Sequence, residues 1–203
     1  IVDTNSSWMG EQLALAGIDS HHQTKVGDNW SRIEEALRLG LERSDAIIVC
    51  GGLGPTQDDI TRDVIASVVN SELVFDEAIA DRIRDMFRSR GRDMPENNLR
   101  QAMVPEGAHT IEQQPGTAPG LVVPVAVSGG DDKVIYAVPG VPYEMKEMVL
   151  GTILPDLQHR SGVTSVIESR VLRTWGQSES GLAELLGPRI AELETAGNPT
   201  LAF

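Results

Sequence analysis

Short apolar runs alternate with amphipathic segments of helical period along the first 160 residues. Residues 46–50 are continuously apolar, which is typical of a strand buried on both faces. Before them, Ile33, Leu37 and Leu41 recur at helical spacing and predict a helix. Residues 18–26 are predicted as another strand. The alternation of strands and helices predicts an α/β fold with three layers, α/β/α, and a mostly parallel sheet.

A β-hairpin is predicted late in this region. Its strands are the apolar runs 121–127 and 133–138. Residues 128–132, Ser-Gly-Gly-Asp-Asp, separate the two runs and are typical of a tight turn. An antiparallel pair is therefore expected inside the mainly parallel sheet.

The pattern changes after residue 160. One long strand, or two shorter ones, is predicted over residues 163–175, followed by a helix whose cap lies near Ser178. We therefore expect two domains. Residues 1–160 form the α/β domain, with its first strand missing, and residues 161–203 form the truncated start of a small α+β domain.

The strand predicted at residues 46–50 ends in the glycine-rich stretch 51–56. Its glycines allow a positive φ and the close approach of a ligand. An amphipathic helix with Val64 and Val68 on its apolar face follows. In a strand, glycine turn and helix N-terminus of this kind, backbone N–H groups and the helix dipole face an anion. A tight turn without a ligand is the alternative, because a lone glycine-rich turn is a weak signal.

Two adjacent acids, Asp58 and Asp59, follow the glycine stretch. Either one can cap the next helix. Together they would repel a phosphate unless a divalent cation stood between them, and Mg²⁺ sites on phosphates are built in this way. The sequence therefore predicts a phosphate or pyrophosphate site, with Asp58 and Asp59 as ligands of Mg²⁺ or a similar metal.

Two more corners rich in glycine and proline lie at residues 115–120 and 139–142. Ligands bind outside the carboxyl ends of the strands in open α/β sheets, so we expect these corners to meet the glycine stretch at one edge. Glu144 lies in the first turn of the following helix, where an acid suits the dipole whatever its function. Asp28 is either the N-cap of a helix or a residue of the same site.

Composition narrows the class of ligand. The net charge of −13 argues against nucleic acid, because binding to phosphate backbones needs Lys and Arg. No apolar run approaches the roughly 20 residues that span a bilayer, and no signal peptide is expected. Cys50 is the only cysteine, which excludes a disulfide within the chain and a cysteine-based metal cluster. This suits a cytoplasmic protein that does not bind membranes.

Five motifs occur together and in order: CGGLGPTQDDITRD at 50–63, RGRDMPENNLRQAM at 90–103, PGTAPG at 115–120, VPGVPYEM at 138–145 and TWGQSES at 174–180. The set resembles the N-terminal domain of the CinA family of competence/damage-inducible proteins. Through that family it is similar to the molybdopterin-binding fold of molybdenum cofactor proteins. The resemblance extends over about residues 2–203. It implies a molybdopterin-binding-like domain for residues 1–160.

Members of this family are described as divalent-metal-dependent ADP-ribose pyrophosphatases. The resemblance therefore implies hydrolysis of the pyrophosphate bond of a nucleotide diphosphate sugar such as ADP-ribose, by a homo-oligomer with a dimer favoured. Asp28, Asp59 and Glu144 are the expected catalytic residues. The expected substrate-binding residues lie at the three corners and at the start of the following helix: Gly51, Gly52, Leu53, Gly54, Pro55, Thr56, Thr61, Gly116, Thr117, Ala118, Pro119, Gly120, Pro139, Gly140, Val141 and Pro142.

Two alternatives stay open at this point. The same edge can bind a molybdopterin-type cofactor or handle an adenylyl group, as the fold-level likeness suggests. It can also bind a nucleotide without catalysis, as a regulatory module. Because fold alone is a weak warrant for function, the chemistry of the site has to decide among the three.

Overall fold

A computed structural model of the protein describes residues 2–127, 132–162, 170–197 and 199–201. The chain divides into two compact units, Ile1–Ile167 and Glu168–Phe203. A short 3₁₀ segment covers Glu96–Ala102, and a short π segment covers Val149–Ile153. The other elements, in chain order, are α1 (Thr4–Leu15), α2 (Trp30–Arg43), β1 (Ala46–Cys50), α3 (Thr61–Val68), β2 (Leu73–Phe75), α4 (Glu77–Ser89), β3 (Met103–Pro105), β4 (His109–Thr110), β5 (Leu121–Val125), β6 (Lys133–Val138), α5 (Pro142–Met148), α6 (Leu154–Ser161) and α7 (Glu179–Ala196).

The main sheet of the first unit has the strand order β1-β6-β5-β4. Strands β1 and β6 are parallel, with Cys50 paired to Val138. Strand β5 is antiparallel to both β6 and β4, because it is the first strand of the predicted hairpin. The α/β prediction is confirmed, although the described strands form a mixed sheet in which only the β1–β6 pair is parallel. The predicted hairpin turn falls largely on residues 128–131, outside the described residues.

Helices cover both faces of this sheet. On one face Ile135 and Ala137 of β6 pack in a cluster with buried residues of α2, α3 and α4. On the other face Val134, Tyr136 and Val138 pack in a cluster with residues of α1, α5 and α6. Successive residues of a strand point to opposite faces, so the continuous apolar run of β6 supplies both cores. The predicted α/β/α layering is confirmed.

The prediction of a strand at residues 18–26 is wrong, because this segment is irregular and mostly exposed. Its centre, residues 19–25, is polar at every position, so neither face could be buried. A small second sheet pairs β2 with β3 and was not predicted. Strands of two or three residues such as β2, β3 and β4 are too short to show a hydrophobic period.

The second unit contains helix α7. Its N-cap is Ser178, as predicted, and the Ser178 hydroxyl accepts a hydrogen bond from the Gly181 N–H at 3.2 Å. Residues 170–177 are irregular, so the strand predicted at 163–175 is not present over residues 170–175. The rest of that prediction, residues 163–169, lies outside the described residues. Within the described chain, none of the helices has the length and apolar character that a membrane crossing requires.

A partly buried hydrogen bond joins strand β6 to α6. Tyr136 is fully buried, and its hydroxyl donates to Asp156 Oδ2 at 2.5 Å. Arg160 Nε donates to the same oxygen at 3.0 Å. Burial and the neighbouring Asp156 carboxylate raise the pKa of Tyr136. Burial alone would raise the pKa of Asp156, but the bonds from Tyr136 and Arg160 outweigh it and lower that pKa.

Replacing Tyr136 with Phe should lower the free energy of unfolding by about 1.5–3 kcal/mol, the range for a hydrogen bond to a charged group. Because the pKa of Asp156 is lowered on folding, its contribution is present at neutral pH and is lost as the pH falls below about 4. The difference from the wild type should therefore shrink between pH 7 and pH 3. Urea unfolding followed by circular dichroism measures it.

Ser89→Ala is the control, since it removes a hydroxyl from an exposed side chain whose hydrogen bond goes to a carbonyl of its own helix, Met86 O. Its effect should stay within about 0.5 kcal/mol, as for most surface substitutions. Equal effects of the two variants would show that the Tyr136 bond does not contribute as described.

Candidate functional site

Two loops lie side by side at the carboxyl ends of the parallel strands β1 and β6. The Gly51 N–H donates to Val138 O at 2.9 Å. A Cβ added to Gly140 would lie 3.6 Å from Gly51 Cα. The glycine stretch 51–56 and the corner 139–142 therefore meet, as the sequence predicted from strand order.

Asn5 joins these two loops and was not predicted. It lies in the first turn of α1, and its Nδ2 donates to Gly140 O at 2.9 Å. The same Nδ2 lies 3.4 Å from Cys50 Sγ. Burial raises the pKa of the Cys50 thiol, against the hydrogen bond from Asn5, so the thiol stays neutral. No sequence pattern marks Asn5, because its partners are 45 and 135 residues away.

The glycine stretch folds over the N-terminus of α3. Gly51 and Gly52 have φ values of +102° and +68°. A side chain on Gly52 would collide with the Thr61 hydroxyl, and the Thr61 N–H donates to Gly52 O at 3.1 Å. The next two N–H groups, of Arg62 and Asp63, have no hydrogen-bond partner in the part of the chain that the structure describes. They are the free donors that a helix N-terminus offers to an anion.

The prediction that Asp58 or Asp59 caps α3 is wrong. The N-cap is Ile60, without a side-chain hydrogen bond. Asp59 turns back into its own loop instead. Its Oδ2 accepts from the Thr56 N–H at 2.9 Å and from the Thr56 hydroxyl. These short-range bonds satisfy the carboxylate inside the loop, so it does not reach the helix.

Gly54 lies directly beneath the Asp59 carboxylate, because a Cβ there would stand 2.5 Å from Asp59 Oδ2. Burial would raise the pKa of Asp59, but the bonds from Thr56 and from the Gly54 N–H outweigh it and lower that pKa. Asp58 is exposed. Across the described residues, no three His, Cys, Asp or Glu side chains lie close enough to hold a metal ion by themselves.

Two arginines hold the same loop and were not predicted. Arg62 is fully buried and its Nη2 donates to Leu53 O at 2.8 Å. Arg100 Nη1 donates to Thr56 O at 2.8 Å, and its Nη2 pairs with Asp63 Oδ2 at 2.9 Å. Both arginines lie within the sequence motifs at 50–63 and 90–103, but these motifs alone gave neither arginine a role.

The corner 115–120 is held by Glu144 and Arg82. Glu144 is 8% exposed, and its carboxylate packs against Gly116 so closely that no Cβ fits there. The Tyr143 hydroxyl donates to Glu144 Oε1 at 3.0 Å. Arg82 donates from Nη1 to Gly116 O at 2.8 Å and from Nη2 to Thr117 O at 3.1 Å. Glu144 and this corner therefore form one cluster.

The remaining predicted residues divide into packed and exposed positions. Ala118, Pro119 and Gly120 are buried, and a Cβ on Gly120 would meet Met148 Sδ at 2.6 Å. Asp28 is exposed, and Asn29, not Asp28, caps α2 by accepting from the Arg32 N–H at 3.2 Å. Among the described residues Asp28 forms no hydrogen bond or ion pair, so its place in the site stays a prediction.

An open cavity of about 580 Å³ lies beside α1. It is lined by polar and small residues that include Asp3, Ser6, Gly10 and Lys25. No residue predicted for the site lines it. The acids, arginines and free N–H groups lie instead at the glycine loops, and we place the candidate site there.

Residues 1–159 match the family described as probable molybdopterin binding domain. The chain is 42% identical to a CinA-like protein of Frankia casuarinae and 42% identical to a putative competence-damage inducible protein of Clostridium beijerinckii. Both alignments cover 100% of this chain but 47% of the relative, so the chain spans about half the length of these curated relatives. A crystal structure of a CinA protein of unknown function from Thermoplasma acidophilum is also similar, with a TM-score of 0.64, 32% identity, and coverage of 80% of this chain and 89% of that chain.

Gly52→Ala should destabilise the protein by at least about 1–2 kcal/mol, the cost of a left-handed conformation for a residue with a Cβ. The collision with Thr61 adds to this cost. Gly27→Ala is the control, because nothing lies within 4 Å of its added methyl group and it should change stability by less than about 0.5 kcal/mol. Thermal unfolding compares the two, and a Gly52→Ala protein as stable as the control would contradict the loop geometry.

Proposed function

We propose, given that this chain belongs to the probable molybdopterin binding domain family and to the CinA proteins within it, that its glycine-loop edge hydrolyses a nucleotide diphosphate sugar such as ADP-ribose. One observation carries the proposal. The N–H groups of Arg62 and Asp63, at the N-terminus of α3, have no partner among the described residues, and the side chains of Arg62 and Arg100 bind the adjoining glycine loop. Unpaired N–H groups beside a helix dipole favour a phosphate at this point.

A divalent metal fits this loop only if the loop and the phosphates of a substrate bind it together. The loop contributes two carboxylates, Asp58 and Asp59, of which Asp59 Oδ2 is already bonded to Thr56. Mg²⁺ commonly takes one or two carboxylates and completes its shell with water and the phosphates of a substrate. The donor set therefore suits a metal that arrives with a diphosphate. Such a metal would offset the repulsion between phosphate and carboxylate and lower the pKa of a bound water.

The chain's own residues divide the remaining work. The N–H groups of Arg62 and Asp63, with those N–H groups of residues 51–56 that have no partner among the described residues, bind one phosphate and fix its position. Asp59 keeps the loop in shape through Thr56 and presents its charge beside Gly54. Glu144, oriented by the Tyr143 hydroxyl, accepts a proton from the attacking water or a bond from a ribose hydroxyl. Glu144 suits this role better than Asp28, because Glu144 is fixed against a loop of the site.

Binding of a pterin phosphate is the second candidate. The observation in its favour is that the matched family is a probable molybdopterin binding domain over residues 1–159. The same free N–H groups would hold its phosphate. A fluorescent pterin that co-purifies with the protein, together with no release of AMP from ADP-ribose, would favour this function over hydrolysis.

The deciding experiment is turnover of ADP-ribose to AMP with added Mg²⁺. Asp59→Asn keeps an oxygen to accept from Thr56 but loses the charge, so it should retain the fold and lose about 100-fold or more in kcat. Asp58→Asn, at an exposed position, should raise the Mg²⁺ concentration for half-maximal rate by about tenfold. Product is measured by chromatography across a Mg²⁺ titration.

Asp85→Asn is the matched control, because it changes the same charge at an exposed position on α4. It should leave turnover unchanged. Wild-type turnover in Asp59→Asn would remove the proposed role of that carboxylate. Tight ADP-ribose binding with no AMP at saturating metal would instead identify a non-catalytic nucleotide-binding module.

A further inference from the structure

Arg62 is buried in an unusual way for a charged side chain. It has no exposed surface, and only Nη2 has a hydrogen-bond partner, Leu53 O. Its Nε and Nη1 are buried without a partner among the described residues. Burying a guanidinium with unpaired N–H groups costs stability, and an apolar side chain would fill the same space without that cost. Packing alone therefore does not account for an arginine here.

The charge of Arg62 is also only partly balanced. Within the described chain, no carboxylate lies within 4 Å of it as a salt-bridge partner, whereas the nearby Asp63 is paired with Arg100. Burial lowers the pKa of Arg62, and Asp63 and Asp59 act against that effect. An arginine stays protonated under these conditions. A guanidinium charge without a salt-bridge partner among the described residues therefore lies beneath the glycine loop of a protein whose overall charge is −13.

The arginines also fix the direction of the loop's peptide groups. Arg62 binds the carbonyl of Leu53 and Arg100 binds the carbonyl of Thr56. A carbonyl oxygen held by a guanidinium is not presented to an approaching anion. Because the C=O and N–H of a trans peptide point in opposite directions, the same bonds set where the loop's N–H groups point.

We infer that Arg62 is the positioning residue that makes the glycine loop bind a phosphate: its buried charge attracts the anion, and its bond to Leu53 keeps the loop in the binding conformation. This inference deepens the proposed function. It rests on that function for the class of ligand, a phosphate or diphosphate, but it does not require that the ligand is hydrolysed. Arg62 acts from beneath the loop, through the Leu53 carbonyl and through its field. It is not a group that touches the reacting atoms.

The test compares the wild type with Arg62→Gln, which removes the charge, and Arg62→Lys, which keeps it. Arg88→Gln is the control, since Arg88 is an exposed arginine of α4 and the change in net charge is the same. Dissociation constants of inorganic pyrophosphate and of ADP-ribose are measured by isothermal titration calorimetry. Arg62→Gln should raise both dissociation constants by roughly tenfold to a hundredfold. Arg62→Lys should bind both anions nearly as tightly as the wild type, and Arg88→Gln should bind them with wild-type affinity.

A second measurement uses only the wild type, because a variant at a fully buried site can fail to fold. The Nε–H resonance of Arg62 is followed by NMR during a pyrophosphate titration, with the Arg88 Nε–H as an internal reference. The Arg62 signal should shift with saturation of the site, and that of Arg88 should not. A purely structural arginine would give no such shift.

The outcomes separate this inference from the proposed function. Anion binding that needs Arg62, without release of AMP, supports the inference and removes hydrolysis. Unchanged pyrophosphate affinity in Arg62→Gln, or an Arg62 resonance that does not respond at saturation, overturns the inference and leaves hydrolysis standing. A wild-type protein that binds neither anion overturns both. If Arg62→Gln does not fold, the response of the Arg62 resonance alone decides between these outcomes.

Discussion

The parallel pairing of β1 with β6 is the constraint on which the candidate site depends. It pairs Cys50 with Val138, so both strands end at the same level and both chains turn into glycine-containing loops there. The bond from the Gly51 N–H to Val138 O extends the pairing into the first loop residue. A Cβ on Gly140 would be in ordinary van der Waals contact with Gly51 Cα, so the two loops lie directly side by side, and Asn5 closes the junction from α1. A shift of the register would separate the loops and disperse the site.

Carboxylates packed on glycines shape two loops, the glycine stretch 51–56 and the corner 115–120. Asp59 lies over Gly54 and Glu144 lies over Gly116, each in contact too close for a Cβ. Hydroxyl groups of Thr56 and Tyr143 hold the two carboxylates in place. The glycines therefore serve two purposes. Some adopt positive φ, as Gly51 and Gly52 do, and others leave room for an acid above the backbone.

Three arginines bind backbone carbonyls of the same loops. Arg62, Arg82 and Arg100 each donate to a backbone carbonyl of a loop, at Leu53, Gly116 and Thr56. In a chain with a net charge of −13, three arginines thus bind the segments that would meet a phosphate. Because these side chains are wholly or partly buried, solvent and salt screen them less than surface charges. The protein can in this way combine an acidic surface with an anion site.

The sequence by itself determined the α/β class, the strand–glycine–helix unit and the meeting of the glycine stretch with the corner 139–142, because hydrophobic period and glycine content are local signals. Two of its local predictions failed. Asp59 was expected to cap α3, yet its short side chain finds Thr56 first, and the polar segment 18–26 had no face to bury as a strand. Only the tertiary structure brought Asn5, Arg62, Arg82 and Arg100 to the loops. Their roles come from carbonyl groups that the fold turns toward them, and no pattern along the chain records the direction of a carbonyl.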